Sequence, residues 1–105
     1  RAAIAAKSLP KRDRGGAGSV IAAMASVYKI LDQLLRGTSD ANIAFNDLRR
    51  VLLHLRFVER VKGGHHIFRR EGVPVLVNLQ RDGNSAKPYQ VRQVRRIIVD
   101  YKLAG

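Results

Sequence analysis

The chain has 105 residues, no cysteine and a formal net charge of +12. That length fits one domain, with a core near the lower end of independent stability. The missing cysteines exclude a disulfide framework, a thiolate nucleophile and a thiolate zinc site, and no apolar run approaches the ~20 residues of a bilayer span.

The sequence pI of about 11.3 exceeds the ~9 that marks the electrostatic footprint of a nucleic-acid binder. Arginine outnumbers lysine, and its planar fork suits bidentate phosphate contact. Nucleic acid is therefore the first reading. A ribosomal-type protein, an anionic membrane surface and an acidic protein partner remain open on charge alone.

Residues 1–25 are rich in Ala, Gly and basic side chains and are interrupted by Pro10 and by Gly15-Gly16-Ala17-Gly18. Such a segment buries little, and a flexible extension or an expression-derived segment is expected there. Val20 to Ala25 is apolar and follows basic residues. It is short for a signal h-region, and no cysteine-stapled secreted domain follows it, so a cytoplasmic protein is expected. Regular patterning starts after Met24, which places the domain at residues 26–105.

Val27, Ile30, Leu31, Leu34 and Leu35 recur at helical spacing, and Gly37 follows as a stop, so the domain opens with a short extra helix. A second helix is predicted over Asn42–Leu55. Its buried stripe is Phe45, Leu48, Leu52 and Leu55, while Asp47, Arg49 and Arg50 face out. Three strands follow, Phe57–Val61, His65–Arg70 and Val75–Leu79, with turns at Gly63-Gly64 and Glu71–Pro74. Gln80 to Lys87 reads as a polar loop. Pro88 opens a last helix with Val91, Val94, Ile98 and Tyr101 on its core face and Arg92, Arg95 and Arg96 mostly opposite. The expected fold is α+β: α-β-β-β-α with a three-stranded antiparallel meander, both main helices on one face and the other face free.

The stretch Lys62-Gly63-Gly64-His65-His66 puts a side-chain-free bend directly before two histidines. Strand alternation sends His65 and His66 to opposite faces, so they do not act as a pair on one phosphate. His66 is then expected to be partly buried under a helix, and His54 to be a solvated or boundary residue of the second helix. Imidazole titrates near neutrality and serves as acid or base. On the residues alone, a strand histidine that satisfies a backbone carbonyl is the commoner case. Gly63 and Gly64 read as hairpin glycines and equally as a place where a phosphate meets bare backbone. Three scattered histidines without clustered carboxylates make a poor metal site, so no metal and no small-molecule cofactor is expected. Lys62, Arg69, Arg70, Lys87 and Arg92 are candidate phosphate contacts, each of which alone also fits a solvated charge. Tyr89 either stacks on a base or packs.

Leu55-Arg56-Phe57-Val58-Glu59-Arg60 and Lys62-Gly63-Gly64-His65-His66-Ile67-Phe68, followed by Asn78-Leu79-Gln80 and Lys87-Pro88-Tyr89-Gln90-Val91, resemble the HicA family of toxin mRNA interferases. The likeness covers about Phe45 to Leu103. It implies a double-stranded-RNA-binding-like fold, a type II toxin–antitoxin pair whose toxin cleaves mRNA, Gly63 and His65 at the active-site positions, and neutralisation by a HicB-like antitoxin. Together with the residue reading, the expectation is metal-independent cleavage with His65 as general acid/base and Lys62, Gly63, Gly64, Arg69 and Lys87 as substrate contacts. Gly64 stands where serine is frequent, Arg56 where glycine precedes the phenylalanine, and Gln80 where many members carry a second histidine. A non-catalytic RNA-binding module of the same fold is the alternative, and an adaptor for an acidic protein is a third.

Overall fold

The computed structural model describes residues 26–104; the expectation for residues 1–25 lies outside them. The first helix, α1, runs over residues 26–36 and buries Leu31 and Leu34. It stops at Gly37, whose φ of 73° is left-handed and whose N–H reaches the Gln33 carbonyl at 3.3 Å.

The second helix, α2, is Phe45–His54, three residues shorter at its start than the apolar period suggests. The reason lies in the partner of the preceding segment. Ala44 is extended and bridges Ser85, the Ala86 N–H donates to the Ile43 carbonyl, and the Phe45 N–H donates to the Asn84 carbonyl, both at 2.9 Å. A 3-10 turn, Asp40–Asn42, takes up the intervening chain. At the other end the Phe57 N–H bonds the Leu52 carbonyl and the Arg56 N–H the Leu53 carbonyl, each at 3.0 Å. This is the Schellman pattern. Arg56 occupies its left-handed position with φ 72°, where glycine avoids the Cβ clash. Arg56→Gly is therefore expected to stabilise the domain by about 1 kcal/mol, read as a higher urea midpoint at unchanged slope.

Four strands form one antiparallel sheet in the order β1 (Val58–Lys62), β2 (His65–Arg70), β3 (Val73–Asp82) and β4 (Ser85–Ala86). The sheet thus has one strand more than the meander read from the sequence. The supposed loop after Leu79 continues β3 to Asp82, turns at Gly83-Asn84 and returns as a strand of two residues, too short to show a period. At its start β3 takes in Pro74, which falls where the β2–β3 register shifts and where no ladder partner needs its missing N–H.

The last helix, α3, is Pro88–Asp100. It and α2 cover the same face of the sheet. Phe68, Val77 and Leu79 meet Phe45, Leu48, Val51 and Leu52 of α2 and Val91, Val94, Ile97 and Ile98 of α3 in one core. Two expectations change here. Tyr101 is the α3 C-cap and is exposed, and the chain turns through left-handed Lys102 so that Leu103 packs on the core instead. Arg95 does not face solvent: it grips Asp40 with two bonds of 2.7 and 3.1 Å and reaches the Leu34 carbonyl at 3.3 Å, tying α1, the 3-10 turn and α3 together. The Arg95 guanidinium holds the Asp40 carboxyl below the usual carboxylate range, against the opposing effect of burial.

Gln90, the buried polar residue of α3, closes the edge of β3 beyond β4. With its oxygen toward the Gln80 N–H, its carboxamide pairs both Gln80 backbone groups at 3.2 and 3.3 Å and so stands in for a strand.

Candidate functional site

The helices leave the other face of the sheet open, and alternation decides what it shows. On β1 these are Val58, Arg60 and Lys62; on β2, His65, Ile67 and Arg69; on β3, Leu76, Asn78 and Gln80. The register arranges them in rows. Lys62 pairs with His65 and His65 with Gln80; Arg60 pairs with Ile67 and Ile67 with Asn78; Val58 pairs with Arg69. Direct cross-strand neighbours stand about 5 Å apart at Cβ, so a cation, an imidazole and a carboxamide share one row at the hairpin end.

His65 is exposed, and its Nδ1 lies 3.1 Å from the Asn78 Oδ1, a diagonal neighbour on β3. An amide oxygen only accepts, so the tautomer that makes this bond has its proton on Nδ1 and its Nε2 lone pair toward solvent. The turn before it has a single left-handed residue, Gly63 with φ 62°, and not two as the hairpin reading supposed. A left-handed first position matches the II′ class, whose twist suits a two-residue loop. A Cβ on either Gly63 or Gly64 would meet nothing within 4 Å, so the backbone there is open to a large ligand.

His66 is on the covered face, as alternation requires. Its Nδ1 is 2.7 Å from the Glu59 Oε2, and its ring meets Phe45 edge-on at 4.8 Å. Arg49 Nε donates to both Glu59 oxygens at 2.8 Å. Arg49, expected to face out, thus reaches across to β1, and with His66 it holds the Glu59 carboxyl below its ordinary range; Arg49 has the larger effect, and burial opposes both. His54, at the end of α2, is exposed and meets Tyr28 edge-on at 5.1 Å.

Of the sequence-derived contacts, Lys62, Gly63, Gly64 and His65 come together at one end of the open face. Arg69 shares that face but lies four residues along β2, about 13 Å from His65. Arg70 belongs to the other alternation set and is half-buried. Lys87 follows β4 as the N-cap of α3, at the opposite edge of the sheet from Lys62. Arg92 is exposed on α3 and Tyr89 on its first turn, both off the open face.

Three residues of the face were not singled out as site residues: Arg60, Asn78 and Gln80. The alternation of Val77 and Leu79 with Asn78 and Gln80 already puts the two polar side chains on the solvent side. Only the register places them beside His65.

Asp32, Asp40, Asp47 and Glu59 pair with Arg36, Arg95, Arg50 and Arg49 on the helical side. Among the described residues no carboxylate pairs with Arg60, Lys62 or Arg69. No group of three His, Asp or Glu side chains converges among them either, and none of their helices is long and apolar enough to cross a membrane. No protein-family model, curated protein sequence or solved structure matches this chain.

Proposed function

We propose that the chain is an endoribonuclease of the HicA type, a toxin that cleaves mRNA and slows translation, with His65 as its acid/base group. The observation that carries this reading is the Asn78-oriented imidazole of His65 on an open, cationic sheet face. Supporting it are the motif around Lys62–Phe68 and an α+β order compatible with the double-stranded-RNA-binding-like fold. In this mechanism Nε2 of His65 removes the 2′-hydroxyl proton, and O2′ attacks the adjacent phosphorus. The bond from phosphorus to O5′ breaks, leaving a 2′,3′-cyclic phosphate and a 5′-hydroxyl. Lys62 and Arg60 offset the charge that develops on the phosphoryl oxygens. Gln80, across from His65, offers a hydrogen bond but no titratable proton, so the leaving oxygen takes its proton from solvent or from the imidazolium. No step needs a metal ion or a cofactor.

A free nuclease would harm its host. An acidic HicB-like antitoxin covering His65 fits both the +12 charge and a cytoplasmic setting. The second reading, a non-catalytic RNA-binding module, is favoured by one observation: Gln80 leaves a single imidazole on the row. Labelled RNA incubated with the chain and with His65→Ala, each with and without a chelator, separates the two. Cleavage that survives chelation and depends on His65 supports the nuclease; a mobility shift without cleavage supports the module. Binding is expected to weaken with salt under either reading. Lys62→Ala is expected to flatten the plot of log affinity against log salt by about 0.7, one phosphate contact on a single strand.

A further inference from the structure

Beside the His65 row lies a depression of about 580 Å³, lined by Val58, Glu59, Arg60, Lys62, Ile67, Arg69 and Leu76; the Glu59 carboxylate is held by Arg49 and His66 of the covered side. That volume is within the ~300–1,000 Å³ of small-ligand clefts. Its floor is aliphatic. Ile67 is half-buried on the central strand, and Val58 and Leu76 are each 58% exposed. Its rim is cationic, and the pairing interleaves the two kinds: Arg60 stands beside Ile67 and Arg69 beside Val58.

Phosphate binding alone has no use for two exposed aliphatic side chains and a half-buried third. A duplex would lay its backbone on the rim and keep its bases stacked inside, away from the floor. An unpaired base matches both halves, with its flat face on the aliphatic floor or an arginine plane and its phosphate on the rim. We infer that this depression is a nucleobase subsite, holding one or two unpaired bases of single-stranded RNA next to the phosphate at His65. This rests on the reading of the open face as an RNA site and adds that bases, not only phosphates, are held there. Ile67 is two residues from His65 on β2, about 6.6 Å, which suits the base of a nucleotide adjoining that phosphate.

The test is a fluorescence-anisotropy titration of the full chain with three 2′-O-methyl oligomers, which no 2′-hydroxyl mechanism cleaves. They are a single-stranded hexamer, the same hexamer with two central abasic residues, and its duplex. The base-bearing single strand is expected to bind at least tenfold more tightly than either of the others at equal salt. Leu76→Asn and Arg69→Ala are each expected to weaken binding of the base-bearing strand about fivefold or more. Leu76→Asn should leave the abasic strand unchanged, and Arg96→Ala, on the outside of α3, should leave the preference for bases unchanged. Thermal melts confirm that each variant folds.

Equal affinity for the base-bearing and abasic strands would overturn the subsite. So would an acidic peptide that displaces the RNA and is itself weakened by Leu76→Asn, which would make the depression a protein-docking face. Cleavage of unmodified RNA is scored separately. Cleavage without base preference rejects the subsite alone, base preference without cleavage rejects the nuclease alone, and an absence of RNA binding rejects both.

Discussion

His65→Ala is expected to lower RNA cleavage by about 10²- to 10⁴-fold, the usual contribution of a positioned acid/base group, while RNA affinity changes less than about threefold. The asymmetry follows from the geometry. His65 is exposed and makes one side-chain hydrogen bond, to Asn78, so its loss opens no cavity and unpairs no buried group. The cations proposed to neutralise phosphate, Arg60 and Lys62, stay in place. Asn78→Ala is expected to fall less far, about tenfold in kcat with little change in KM, because Asn78 positions the imidazole and does not touch the reacting atoms. His66→Ala is the opposite case. It removes one of the two partners of Glu59 on the covered face, leaving Arg49, and the packing of its ring on Phe45, so it lowers stability while cleavage per folded molecule is largely kept. Rates are read by gel from 5′-labelled RNA under single-turnover conditions. A His65→Ala chain that cleaves as fast as the parent removes the chemistry from this histidine.

The separation of the two histidines was legible in the sequence because strand alternation is strictly local. So were the stop of α1 and the start of α3, where Gly37 and Pro88 act through their own backbones. The errors share a different cause. Helical period sent Arg49 and Arg95 outward, yet each spans to a carboxylate on another element, Glu59 or Asp40. Period reports which face a residue is on, and a long arginine can leave that face to find a buried partner. The same limit hid β4, whose two residues carry no period, and Asn78, whose place beside His65 depends on how β2 and β3 register. Pairing across elements also shapes the electrostatics. Pairs with acids on the helical side anchor α2 and α3, and among the described residues no carboxylate pairs with the cations Arg60, Lys62 and Arg69 of the opposite face.

That division depends on Phe45. Its ring is fully buried at the first residue of α2, against the His66 ring and beneath the Arg81 guanidinium, 4.5 Å from the ring centre. Its N–H is bonded to the β3–β4 turn. Phe45→Ala is expected to cost about 3–5 kcal/mol, a large share of the 5–15 kcal/mol typical of a domain, and to lower the melting temperature by roughly 15–30 °C. The loss exceeds that of a solitary core residue truncated elsewhere, because the cavity opens beside the Arg49–Glu59–His66 cluster and lets water reach it. The Glu59 carboxyl lies below its unfolded value of ~4.3. Its contribution to stability is therefore complete above that value and is lost as pH falls through the folded value. Asp40 acts in the same direction through Arg95. Urea midpoints measured from pH 6 to pH 3 are accordingly expected to fall steeply below about pH 4. The fall should be shallower in Glu59→Gln, with Asp40 supplying part of the remaining slope. In Phe45→Ala the Glu59 part shrinks as well, since a wetter cluster holds its carboxylate less strongly than a dry one. A Phe45→Ala protein that melts within a few degrees of the parent and keeps the full acid slope would show that the ring neither fills the core nor shields the cluster beneath His65.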